Sequence, residues 1–186
     1  MKPILNAQDI DKALSRIAHE ILETHQNQPV PSLVGIRRRG EFLAQRLLVK
    51  IREIRQKGSV DFNSPEEPNL GILDINLYRD DLTRAAEQPI VRETILDFDI
   101  EDKVVILVDD VLYTGRTVRC ALDALKDFGR PKAIRLVALI DRGHRELPIK
   151  ADFVGKNIPT EADDVIHVHM TEVDGEDSVV LDQRQN

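Results

Sequence analysis

Two adjacent carboxylates followed by a short hydroxyl-bearing turn form the stretch of this chain best suited to chemistry: Asp109-Asp110, then Val111-Leu112-Tyr113, then Thr114-Gly115-Arg116-Thr117. Like charges side by side are unfavourable unless hydroxyl donors or a cation satisfy them, and a ribose diol is a group that would. The turn lies between an apolar run and an amphipathic segment. A strand-turn-helix junction of that kind converges free backbone N–H groups, two hydroxyls and the positive end of a helix on one point, which is a cradle for a monophosphate. It has neither the Gly-x-x-x-x-Gly-Lys pattern that wraps a nucleoside triphosphate nor the Gly-x-Gly-x-x-Gly of a dinucleotide site. Two further loops leave strand ends of the same kind: Gly35-Ile-Arg37-Arg38-Arg39-Gly40 and Tyr78-Arg79-Asp80-Asp81.

Regular elements must carry these loops. Ile10, Ala13, Leu14, Ile17, Ala18, Ile21 and Leu22 recur at helical spacing, with Asn6 or Asp9 as cap and Pro29 and Pro31 as stops. Residues 32–36 predict a buried strand, and Leu43, Leu47, Ile51 and Ile54 a second helix. Residues 58–70 predict an irregular loop, 71–78 a strand, and 79–89 a polar candidate mobile loop. Residues 103–108 are apolar without alternation, as in a parallel strand covered on both faces, and that strand is expected to end at Asp109-Asp110. A helix follows with Val118, Ala121, Leu122, Leu125 and Phe128 on one side, stopped by Gly129 and Pro131, and then a strand over 133–140. Alternation of this kind predicts a doubly wound α/β sheet, mostly parallel and flanked by helices on both faces, with ligands at the carboxyl ends of its strands. The remainder, with short β-like runs at 151–154, 165–170 and 178–181, reads as a hood over about 141–186 plus one edge strand. One domain over 1–186 is expected.

Composition narrows the classes. A chain of 186 residues buries roughly 70% of its unfolded surface, so it needs no disulfide or structural metal. With 33 acidic and 26 basic residues the net charge is −7, so any nucleic-acid role must rest on a local basic patch. No basic n-region precedes an apolar run and no stretch approaches ~18 consecutive apolar residues, which predicts a cytoplasmic protein with no membrane partner.

Residues 105–117, Val-Ile-Leu-Val-Asp-Asp-Val-Leu-Tyr-Thr-Gly-Arg-Thr, resemble the phosphoribosyl-pyrophosphate (PRPP) motif of type I phosphoribosyltransferases. Residues 74–82 (DINLYRDDL), 35–40 (GIRRRG), 141–149 (DRGHRELPI) and 155–160 (GKNIPT) resemble one family within that class, PyrR, which joins pyrimidine-operon attenuation to uracil phosphoribosyltransferase activity. The resemblance implies the type I phosphoribosyltransferase fold with a small C-terminal hood. It implies the reaction uracil plus PRPP giving UMP and pyrophosphate, with Mg²⁺ bound mainly through PRPP and not by a dedicated protein site. On the same footing, Asp109, Asp110, Arg79 and Arg39 carry catalysis, and Arg38, Arg39, Asp109, Asp110, Val111, Leu112, Tyr113, Thr114, Gly115, Arg116 and Thr117 hold PRPP or UMP. Arg142, Val165 and Ile166 select the nucleobase. A homodimer or higher homo-oligomer is also implied.

The family further implies UMP-dependent binding to pyr operon messenger RNA through Ser15, Arg16, Arg38, His144, Lys150 and Lys156, four of which could neutralise phosphates. Two of these positions depart from the usual pattern. Arg37 and Arg38 replace Lys and Thr, and Ser15 replaces Thr. Two alternatives stay open: a nucleotide-sensing RNA regulator with little catalysis, and an enzyme without RNA binding. The plain readings are a strand end for Asp109-Asp110, a solvated charge run for Arg37 to Arg39, a polar turn at Tyr78 to Asp81, a surface strand for His167-x-His169 and a packed thiol for Cys120.

Overall fold

The computed structural model describes residues 1–26, 28–58, 60, 64–76 and 93–183. Its elements in chain order are β1 (Lys2–Asn6), α1 (Ala7–Thr24), β2 (Ser32–Ile36), α2 (Arg39–Gln56), β3 (Leu70–Leu73), β4 (Val104–Leu112), α3 (Arg116–Leu125), β5 (Ala133–Asp141), β6 (Phe153–Asn157), β7 (Val165–His169), α4 (Thr171–Asp174) and β8 (Ser178–Asp182). Asn6 starts α1: its side chain accepts from Asp9 N at 2.9 Å, and the Asp9 carboxylate accepts from Asn6 N at 3.2 Å, a reciprocal capping box.

Five strands form one parallel sheet in the order β3-β2-β4-β5-β6. Alternation along the central strands feeds two cores. Ile106 and Val108 of β4 face the buried stripe of α1 and α2, including Ile10, Leu14, Ile17, Leu43 and Leu47, while Val105 and Leu107 face Val118, Ala121 and Leu125 of α3. Helices on both faces of a parallel sheet are what the alternating sequence pattern predicted. Truncating one of the fully buried leucines to alanine costs about 2–5 kcal/mol at such sites.

Four expectations are corrected. β4 does not end at Asp109-Asp110 but runs on to Leu112, paired through Val111 with Ile140 and through Leu112 with Asp141, so the acidic pair sits inside the strand. β3 stops at Leu73 rather than Tyr78, because Asp74 turns back: its carboxylate accepts from Asn76 N at 2.9 Å and its own N–H donates to Thr94 Oγ1 at 3.1 Å. Phe128 is exposed in a 3-10 turn after α3 instead of lining its buried face. The fourth is β1, which the sequence pattern did not predict; it pairs antiparallel with β8, and β8 with β7, in a separate sheet ordered β1-β8-β7. Its partner lies at the far end of the chain, so no local pattern announces it. Among the described residues no helix is long and apolar enough to cross a membrane.

Candidate active site

Three described segments meet at the carboxyl ends of β2, β4 and β5. The first is the turn after β2. Gly40 is the second residue of α2, and a Cβ there would collide with the carbonyl of Val108 and crowd Asp109 Cα, so only glycine lets this turn lie against the strand that carries the acidic pair. The Arg37–Arg38 peptide is cis. Arg37 pairs with the buried Glu41 at 3.1 Å and donates to Glu93 O at 3.2 Å, while its Nε is buried without a hydrogen-bond partner among the described residues. Arg38 is exposed. Arg39 was expected in a loop and is instead the first residue of α2, with its guanidinium on the Asp174 carboxylate at 3.0 and 3.3 Å.

Asp109 is 6% exposed, and its Oδ1 accepts from Asp110 N at 3.0 Å; Asp110 Oδ1 accepts from Val111 N at 2.9 Å. Burial, and then the charge of Asp110, hold the Asp109 carboxyl well above the ordinary value. Burial also raises Asp110, opposed by its hydrogen bond with Asp109 and by the positive charge of Arg39. A pair in this state resists carrying two full charges until hydroxyl donors or a developing cation stand in front of it.

The third segment is the turn from Tyr113 to Thr117, wrapped by residues 141–149. Gly115 has φ +92° and caps α3, so Arg116 and Thr117 open the helix, and Thr114 Oγ1 accepts from Arg116 N at 3.3 Å. Leu147 and Ile149 cover Gly115, and Thr114 O accepts from the N–H groups of Glu146 and Leu147 at 3.0 and 3.1 Å. The exposed Arg116 pairs with Glu146 at 2.6 Å.

Of the residues expected to select a base, Arg142 is 6% exposed and lies 4.0 Å over the Tyr113 ring. Its donors go to Thr160 Oγ1 at 3.1 Å, Glu161 O at 2.9 Å and Ala162 O at 3.3 Å, so it fastens residues 160–162 to the top of β4 and β5. Val165 and Ile166 begin β7, paired with Asp182 and Leu181, and β7 lies against β4. Tyr78 to Asp81, with Arg79, lies outside the described residues.

The residues expected at RNA are divided. Ser15 donates to Asp11 O at 2.9 Å, and Arg16 donates to the carbonyls of Val154 and Gly155 at 2.9 and 2.7 Å while pairing with Glu20. Lys156 reaches Ile4 O at 3.4 Å, and Arg16 and Lys156 line one groove of about 390 Å³ between α1 and β6. An Nε2 of His144 lies 2.6 Å from Thr160 O; Lys150 is exposed. Cys120 is buried, and His167 and His169 stack at 6.4 Å with no metal cluster among the described residues.

Three participants escaped the sequence reading: Asp174 on Arg39, Arg46 held by Glu172 and Asp177, and Arg145 beside the turn at 113–117. Arg39 and Arg46 share a face of α2 opposite an acidic run at 172–177, and Asp141 stands four residues before Arg145. Both spacings were visible signals.

An acidic pair inside a strand near its carboxyl end, a glycine-capped helix start beyond it and a basic turn across from it form an arrangement of the phosphoribosyltransferase kind. A family model described as "Phosphoribosyl transferase domain" matches residues 1–174. The solved structure of a Staphylococcus aureus hypoxanthine phosphoribosyltransferase superposes with TM-score 0.67 over 96% of this chain and 90% of that chain at 21% identity. One from Trypanosoma cruzi gives 0.67 over 97% and 95% at 17% identity; at these identities the likeness concerns the fold. In sequence, the chain is 51% identical to the bifunctional protein PyrR of Elusimicrobium minutum over 100% of this chain and 98% of the relative. It is 53% identical to that of Thermus thermophilus over 98% and 96%. The chain belongs to the PyrR family of phosphoribosyltransferases.

Proposed function

We propose that this chain is a uracil phosphoribosyltransferase that converts uracil and PRPP to UMP and pyrophosphate, and that its UMP-bound form binds pyr operon messenger RNA to promote transcription termination. The observation that carries the catalytic reading is the acidic pair inside β4, ahead of a glycine-capped turn and under the charge of Arg39. As the bond from C1 of the ribose to pyrophosphate breaks and the bond to N1 of uracil forms, with the N1 proton passing to the leaving pyrophosphate or to water, C1 becomes oxocarbenium-like. Negative charge gathers on the leaving group. Asp109 and Asp110 meet the ribose hydroxyls and the cationic side, and Thr114 to Thr117 hold the 5′-phosphate. The turn at 37–40 faces pyrophosphate, with Arg39 leaving Asp174 to do so and Arg79 as a further cation for it.

Mg²⁺ arriving on PRPP would neutralise charge on pyrophosphate, and Asp109 and Asp110 would accept hydrogen bonds from its waters. Arg142, Val165 and Ile166 form the base end, under the three-stranded sheet acting as a hood. For RNA, the support is the groove that holds Arg16 and Lys156, with Ser15, Arg38, His144 and Lys150 as further contacts. The setting is the cytoplasm, and the assembly a homodimer or higher homo-oligomer.

The test is UMP formation from uracil, PRPP and Mg²⁺, beside orotate, hypoxanthine and adenine. Turnover with uracil alone is expected. No turnover, with UMP still bound, replaces the enzyme reading by that of a nucleotide-sensing regulator. RNA binding is expected to be sequence-specific at moderate salt, strengthened by UMP and lost in Lys156→Ala; salt-sensitive binding to any RNA overturns the regulatory half.

A further inference from the structure

The turn at 113–117 offers its backbone N–H groups to a phosphate only if its carbonyls point elsewhere. In a trans peptide the carbonyl of one residue and the N–H of the next point in opposite directions, so whatever holds a carbonyl also aims the following N–H. Three successive carbonyls here are held from one side by the 141–149 segment. Leu112 O accepts from Arg142 N at 3.1 Å and from Arg145 Nη1 at 3.4 Å, Tyr113 O accepts from Arg145 Nη1 at 2.8 Å, and Thr114 O accepts from the N–H groups of Glu146 and Leu147. The N–H groups of Tyr113, Thr114 and Gly115 are thereby turned away from that segment.

Arg145 is the side chain in this arrangement, and its other donors fix its own place. Nε donates to Ile149 O at 3.0 Å, Nη1 also to Gly143 O at 3.0 Å, and Nη2 to the Asp141 carboxylate at the end of β5. Burial pushes the Asp141 carboxyl up, but the hydrogen bonds from Arg145 and Gly143 N, with the Arg145 charge, bring it below the ordinary value, so the partner stays ionised. A lysine could keep the charge but could not reach four carbonyls in one plane.

We propose that Arg145 is a positioning residue for the 5′-phosphate: it turns the Tyr113 carbonyl outward, as Arg142 N does that of Leu112, and so aims the N–H of Thr114 at the ligand, without touching it. This rests on the reading of residues 113–117 as the phosphate cradle. The test compares UMP with uridine in calorimetric titrations of the full chain, because the ratio of their affinities reports on the phosphate alone. In the unsubstituted protein UMP binds far more tightly; equal binding of both overturns the cradle itself. In Arg145→Gln the ratio is expected to fall roughly tenfold or more, with uridine affinity unchanged and KM for PRPP raised while KM for uracil stays put. Arg145→Lys is expected to restore part of the ratio. A full ratio in a folded Arg145→Gln overturns the proposal, and so does loss of fold in both variants, which would make Arg145 a determinant of folding instead.

Discussion

The two turns proposed to face anions are built on opposite principles. The turn at 113–117 consists of backbone amides, fixed by a left-handed Gly115, by apolar cover from Leu147 and Ile149 and by carbonyls held from behind. The turn at 37–40 consists of arginine side chains, each already engaged with a carboxylate where one is in reach: Arg37 with Glu41 and Arg39 with Asp174. The first is held by contacts within the fold that involve no ligand. The second must exchange partners to accept one. The difference suits a reaction in which the 5′-phosphate stays with the product and pyrophosphate departs, since a group that leaves is better held by contacts that can be replaced.

Substitutions can sharpen or break this contrast. The largest effect belongs to the strand between the two turns: Asp110→Asn is expected to lower kcat/KM by about two to three orders of magnitude with the fold intact, read from steady-state rates and circular dichroism. Unchanged turnover would remove Asp110 from its role. Next is Gly40→Ala, where the new Cβ meets the Val108 carbonyl, a fixed group; a loss of about 1–3 kcal/mol is expected in denaturant unfolding. A neutral result would show that the basic turn yields even at its tightest point.

The carboxylates behind the arginines predict a pH effect. Asp177 is held down to about 2 by the Arg46 guanidinium, so its contribution is complete above the ordinary carboxylate value and disappears as pH falls from about 4 to about 2. The contact between α2 and the 171–177 segment is expected to weaken by about 1 kcal/mol across that window after solvent screening, seen as a lower Tm in wild type and not in Asp177→Asn. The smallest effect tests exchange itself. Asp174→Asn frees Arg39 from a charged rival, so pyrophosphate inhibition is expected to tighten about threefold. Weaker inhibition would mean that Asp174 presents Arg39 and does not compete for it.

Local periodicity made most of the fold legible. The stripe from Ile10 to Leu22 and the unbroken apolar run before Asp109 each found the partner their pattern calls for, and the alternation of strand and helix led to the parallel sheet. What escaped depends on distance or on competition. Leu112 looks like the start of a loop until Asp141 of β5 is beside it, and Asp74 ends β3 through a side-chain bond that an apolar count cannot see. The candidate site divides the same way. Asp109, Asp110 and Thr114 to Thr117 lie on one stretch of chain and were evident as a group. Asp174 and Arg145 act on residues 135 and 32 positions away in the chain, on Arg39 and Tyr113, and only folding joins them.

The pairing of β1 with β8 has a consequence for the order of events during synthesis. β1 leaves the ribosome well before its hydrogen-bonding neighbour Ser178–Asp182, because the whole parallel sheet lies between them in the chain. The parallel sheet can close around β2, β4 and β5 while β1 is still waiting, because closing so long a loop brings no reward until both ends exist. The small sheet is therefore expected to be the last part of the molecule to form. A nascent chain stalled before residue 178 would carry an assembled nucleotide-binding core under an unfinished roof.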